Sequence, residues 1–183
     1  MPGDVVSVDC GPAAGPVPPH VEDGQWIRVT FAKLHRLTEA ELVGRLSANA
    51  FTSVREAFGA PWFPGKGGNA AFQPGTGKRS LASVMAHSVQ VYPHFEGIKV
   101  NFVDSEHSWT RVPLEDLIVR QHQKKCSTCS SRLSLLLGKE FEGESALLRL
   151  GLARQFQAGG HPSACWMQVN HIFLMPPKRK HFV

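Results

Sequence analysis

Four side chains with zinc-seeking donor atoms stand in two tight pairs. Cys126 and Cys129 have two residues between them; after a further thirty-one residues come His161 and Cys165, with three between. Close spacing at both ends and a Cys3His donor set suit a closed structural zinc site, in which all four positions are filled by protein. The same cysteines also read as free buried thiols. A second chemistry is spread along the chain as charge. Lys66, Lys78, Arg79, Lys124 and Lys125, followed by the run Lys178 to Lys180, offer phosphate contacts. A third is aromatic: Trp26, Tyr92, Phe102 and Trp109 could wall a cage for a methylated ammonium, since cation–π attraction needs ring faces within about 6 Å. Each of these rings has an alternative use as plain core.

The cysteine pair takes part in another pattern. His94-Phe95-Glu96, then twenty-nine residues, then Cys126-Ser127-Thr128-Cys129 resembles the H-x-E and P-C-x-x-C signature of zinc-dependent cytidine and adenosine deaminases. That resemblance implies His94, Cys126 and Cys129 as ligands around an open zinc position, with Glu96 moving protons to and from the activated water. Lys125 stands where the family has proline, and the family's helix after the histidine meets here the strand-like alternation of GIKVNFV. Two shorter stretches have likenesses of their own. QPGTGKRS resembles an ATPase phosphate loop, with Phe72 at the first glycine position, Arg79 at the hydroxyl position and NAAF as a poor preceding strand. NHIFLMP is similar to the histidine strand of HNH nucleases, without a later Asn or His in register.

These residues depend on the elements that hold them. Trp26 to Phe31 alternates as a strand does, and Val5, Val6 and Val8 permit a short one before the prolines. Thr38 and Glu41 form a capping box ahead of Leu42, Leu46, Ala50, Val54 and Phe58, which predicts one helix running to Gly59. Residues 59–80 read as a mobile glycine-rich surface loop. Leu81 to Tyr92 is β-leaning, and Ile98, Val100 and Phe102 turn through Asp104 to Ser108 into Trp109 to Val112, a hairpin. Ser130 to Leu137 and Glu144 to Phe156 read as helices, the second through the stripe Leu148, Leu152, Phe156, and Trp166 to Leu174 as a final strand.

FVDSEHSWTRVPLEDL looks like the third and fourth strands of a Tudor-type domain, one of the SH3-like barrels that bind methylated lysine or arginine. The matching residues are Phe102, Val103, Asp104, Val112, Pro113, Asp116 and Leu117, and Glu22 to Val29 resembles the family's earlier hairpin. The resemblance implies a barrel interrupted by a helical insertion. Its cage would be incomplete, because Ser105 stands at the turn aromatic.

A length of 183 residues, 42% of them hydrophobic, is enough to bury one real core, and a formal charge of +5 concentrated late in the chain favours polyanionic partners. Four unevenly spaced cysteines do not make the disulfide framework of a small secreted domain, and the acidic, apolar-poor N-terminus is unlike a signal peptide. No apolar run has the length of a membrane span. The expectation is an intracellular protein, nuclear or cytoplasmic. We expect an α+β fold, with a small antiparallel, SH3-like β-sheet flanked by two or three helices. Residues 1–25 would be an irregular N-terminal segment, 26–175 a single domain containing the loop 59–80, and 176–183 a basic tail. The leading functional expectation is a non-catalytic binding module for nucleic acid or a nucleic-acid-associated protein, with a zinc clamp. The alternatives are a zinc-dependent nucleobase deaminase and an interaction subunit of a larger assembly.

Overall fold

A computed structural model describes residues 4–12, 18–20, 24–65, 69–117, 119–121, 137–139, 141, 144–157 and 162–175, with side chains at 18–20 and from 36 onward. The fold is mostly β and does not match the expected small sheet flanked by helices. In chain order the elements are β1 (Asp4–Pro12), β2 (Gly24–Arg36), α1 (Glu39–Ser47), α2 (Val54–Phe58), β3 (Trp62–Pro64), β4 (Ala70–Phe72), β5 (Leu81–His94), β6 (Gly97–Val103), β7 (Ser108–Pro113), β8 (Ala146–Leu152) and β9 (Cys165–Leu174). Strands β1 and β2 pair with each other. The other seven form one antiparallel sheet in the order β3-β4-β9-β8-β5-β6-β7.

That sheet curls into a half-barrel because β5 changes partner along its length. Its first half, Leu81 to Ala86, pairs with β8, and its second half, His87 to His94, pairs with β6. The corner is a bulge at Ser88, whose φ of 50° lies in the left-handed region. The curl brings the ends of the sheet together. Leu114, just past β7, bridges in parallel to Val169 of β9, Glu115 N–H donates to the Val169 carbonyl at 2.8 Å, and Trp62 of β3 packs on Trp109 of β7. Inside lie Val84, Ala86, Val89, Val100, Phe102, Leu148, Leu150, Met167 and Val169, all at most 1% exposed.

Three local expectations give way. The capping box is present in both directions, with Thr38 Oγ1 accepting from Glu41 N–H and Glu41 Oε2 accepting from Thr38 N–H, but the helix it starts stops at Ser47. Asn49 turns its side chain back onto the Arg45 carbonyl, Phe51 joins the sheet edge between Ser83 and Met85, and Ser53 caps a new helix through Glu56 N–H. Short polar side chains here compete for the backbone bonds that a continuous helix would use.

The segment Glu144 to Phe156 is largely strand β8 and not a helix. Leu148, Leu150 and Leu152 line the barrel interior at period two while Leu147 is buried on the other face, so a centrally placed strand shows a near-continuous apolar run. Such a run also contains an i, i+4 stripe, and periodicity alone does not choose between them. Residues 59–80 are likewise not simply a loop, because β3 and β4 pair within them and Phe72 is fully buried, edge-on to Phe58 at 5.3 Å. NAAF, read as a poor strand, contributes β4. The chain after Lys78 enters β5, whereas a phosphate loop needs a helix there.

The hairpin β6–β7 and the strands β5 and β9 stand where alternation put them. Residues 176–183 and most of Ser130 to Leu137 lie outside the described residues. Among the described residues, no helix is long and apolar enough to cross a membrane.

Candidate functional site

The turn between β6 and β7 is built on one carboxylate. Asp104 is 4% exposed, and its Oδ1 accepts from Glu106 N–H and His107 N–H at 2.8 and 2.7 Å. Its Oδ2 accepts from Val54 N–H, the first residue of α2, and from the Trp109 indole N–H, both at 2.8 Å. Ser105 N–H reaches the Thr52 carbonyl at 3.1 Å, and the Ser53 hydroxyl donates to Glu106 Oε1 at 3.0 Å. The turn is thereby pinned to the start of α2, and Glu106 and His107 are delivered to one side of it.

Against this frame lies Trp62 of β3. Its ring centroid is 4.7 Å from both the His107 and the Trp109 rings, which are 4.8 Å from each other. Trp109 is buried, His107 is exposed and Trp62 lies half-buried between them. Rings this close are in mutual contact and leave no gap for a cation between them, so the trio is a supported platform and not a cage. Beside it is an open cleft of about 590 Å³, lined among others by Arg55, Glu56, Trp62, Lys78 and Glu106. Gly59 forms one wall at the C-terminus of α2 with φ 59°, and the methylenes of Lys78 pass 3.1–3.2 Å from where a Cβ would stand. Glycine is therefore needed here twice, for the left-handed turn and for the close passage of the lysine stem.

The cleft is charged with both signs. Arg55 and Lys78 supply the cations, and the neighbouring Arg79 lies with its guanidinium 4.6 Å above the Phe51 ring. Glu56 Oε2 accepts from the Thr52 N–H and hydroxyl at 3.3 and 3.2 Å, and Glu106 lies 4.0 Å from Arg55. Both members of that last pair are well exposed, so it contributes little. In a largely apolar cleft of this size, with one indole and charged groups of both signs, the available chemistry is stacking, phosphate pairing and hydrogen-bond acceptance.

The other expected residues are dispersed. Lys78 lines the cleft and Arg79 stacks on Phe51, whereas Lys66, Lys124 and Lys125 lie outside the described residues. Of the aromatic candidates, Trp109 underlies the platform and Phe102 is core, stacked on Trp109 at 6.4 Å. Tyr92 is at the other end of the hairpin, opposite Lys99, donating its hydroxyl to Asn101 Oδ1 at 3.2 Å. Trp26 lies on β2 opposite Cys10, its side chain outside the described ones.

His94 and Glu96 flank the turn from β5 to β6, and the chain after them is extended strand. Glu96 pairs with Lys99 at 3.1 Å, and that hydrogen bond holds its carboxyl below the usual range. Cys126, Cys129 and His161 lie outside the described residues. Cys165 is 1% exposed in the core, where burial pushes its thiol pKa up. Among the described residues, no group of three or more His, Cys, Asp and Glu side chains is set to hold a metal ion.

Two features escaped the sequence reading. Trp62 and His107 complete the platform, and the one local hint was an apolar Trp62-Phe63 flanked by prolines inside a glycine-rich stretch. The second is a clip between His171 Nδ1 and the buried Asp116 carboxylate, which ties β9 to the segment after β7. Compared with family models, curated proteins and solved structures, the chain matches none.

Proposed function

We propose that this protein is a non-catalytic binding module for single-stranded nucleic acid, and that the cleft beside Trp62 is its contact surface. What carries the reading is one arrangement: a partly buried indole in ring contact with the exposed His107 and the buried Trp109, with Arg55 and Lys78 in the same cleft. Any base presents a π-face to such a ring, and the cations pair with the flanking phosphates, so binding of this kind tolerates sequence. The formal charge of +5 acts in the same direction at longer range. Arg79, next along the chain to Lys78, adds a further cation, and its stacking on Phe51 fixes the guanidinium in place. Few and scattered cysteines suit a reducing compartment, nuclear or cytoplasmic.

The test is fluorescence anisotropy of a labelled single-stranded oligonucleotide titrated with the full chain across a range of salt. Affinity should fall linearly on a log–log plot, and Lys78→Glu should weaken binding and flatten the slope. Trp62→Ala should cost about 1–3 kcal/mol of binding for the stacked base. Binding that ignores salt, or a Trp62→Ala chain that binds as the wild type does, would remove this function from the cleft.

A further inference from the structure

Resting on that reading, we infer that the cleft selects unpaired bases carrying an exocyclic amino group, adenine, cytosine or guanine, against thymine and uracil, through the carboxylates of Glu56 and Glu106. Two acids in a cleft that holds a polyanion oppose its affinity, since each repels the phosphates that Arg55 and Lys78 attract. Their placement makes sense if they meet a donor on the ligand. Both are held rather than free to swing. Thr52 fixes Glu56 through Oε2 with two bonds, at 3.3 and 3.2 Å, and the Ser53 hydroxyl fixes Glu106 through Oε1 at 3.0 Å. Glu56 keeps Oε1 outside these bonds, Glu106 turns Oε2 toward Arg55 at the long distance of 4.0 Å, and both residues line the same cleft as the stacking ring.

A base lying on Trp62 would turn its edge toward these acids. Adenine N6, cytosine N4 and guanine N2 are donors, and carboxylates accept from such amino groups. Thymine and uracil place carbonyl oxygens on both sides of a single ring N–H, so a carboxylate meets acceptor against acceptor. The acids would therefore weaken overall affinity while sharpening choice. Stacking contributes attraction to every base, and Glu56 and Glu106 contribute the difference between bases.

The experiment compares oligo-dA, oligo-dC and oligo-dT of about a dozen nucleotides, a length within the span of one small β-barrel site, against the full chain at fixed salt. The expected result is that oligo-dA and oligo-dC bind about tenfold more tightly than oligo-dT, the lower part of the range for one well-made base contact. In the double variant Glu56→Gln, Glu106→Gln the preference should collapse while oligo-dT binding strengthens, because a carboxamide offers a donor and carries no charge. Glu39→Gln, on α1 and outside the cleft, is the charge control and should strengthen all three alike. Equal affinity of the wild type for the three oligomers overturns the base selection and leaves the nucleic-acid reading standing, as does a preference that survives in the double variant. Binding to none of them overturns both.

Discussion

Asp104→Asn tests the frame on which the cleft depends. The two carboxylate oxygens each accept two bonds, and all four donors come from backbone or indole N–H groups that cannot reverse their role. An asparagine carbonyl can replace one oxygen, but its NH2 must then face two donors. If the carbonyl keeps Glu106 and His107, the Val54 N–H and the Trp109 indole N–H lose their acceptor inside residues that are 0% and 3% exposed. The flipped rotamer only moves the loss to the turn. Each stranded buried donor costs about 1–3 kcal/mol, so the substitution should destabilise the protein by roughly 2–6 kcal/mol. For a domain of this size a loss of ~4 kcal/mol lowers the melting temperature by roughly 8–16 °C. The assay is urea unfolding followed by far-ultraviolet dichroism, where the midpoint should fall with little change in slope. Asp104→Ala, which strands all four donors, should lose more. A loss below ~1 kcal/mol in Asp104→Asn would mean that the remaining ties, Ser105 to Thr52 and Ser53 to Glu106, hold the turn unaided, and the account of Asp104 as its anchor would be wrong.

Three further outcomes follow from the same geometry. Tyr92 is the chain's only tyrosine, so phenolate absorbance reads it alone; burial holds its pKa above the usual 10.0 against the opposing pull of Arg111, and Arg111→Gln should push it higher still. Its contribution to stability is then complete below that usual value and is lost as pH rises through the folded one, and titration at the ordinary pKa would contradict this. Glu96 has the opposite sign: the hydrogen bond from Lys99 depresses its pKa, so its contribution is present above the ordinary glutamate range and is lost as pH falls through the depressed value. NMR titration should show Lys99→Met returning Glu96 to the ordinary range, and an unmoved carboxyl would refute the pairing. Gly65→Ala would place a Cβ 2.3 Å from the Trp166 ring and 2.9 Å from the Asn69 carbonyl, so it should lower stability by about 1–3 kcal/mol in urea unfolding, whereas a neutral effect would show that β3 can shift without cost.

Local signals carried part of this fold. Thr38 and Glu41 lie three residues apart and find each other in any chain that starts a helix there, so the cap was readable while the helix end was not. Val100 and Val112, or Phe102 and Trp109, pair across a short turn, so the alternation that marks the hairpin also sets its register. Where an element is buried on both faces the pattern fails, because Leu147 to Leu152 satisfies strand and helix periods together. Only the neighbours β5 and β9, one on each side of β8, decide it.

The sequence alone determined a basic chain with one hydrophobic core, the helix start at Thr38 and the β6–β7 hairpin, each set by composition or by contacts a few residues apart. Tertiary structure decided the strand-rich half-barrel and the cleft. Trp62, Lys78 and His107 are distant along the chain and meet only because β5 bends at Ser88 and the sheet rolls its ends together. That convergence depends on long-range pairing, which no local spacing records.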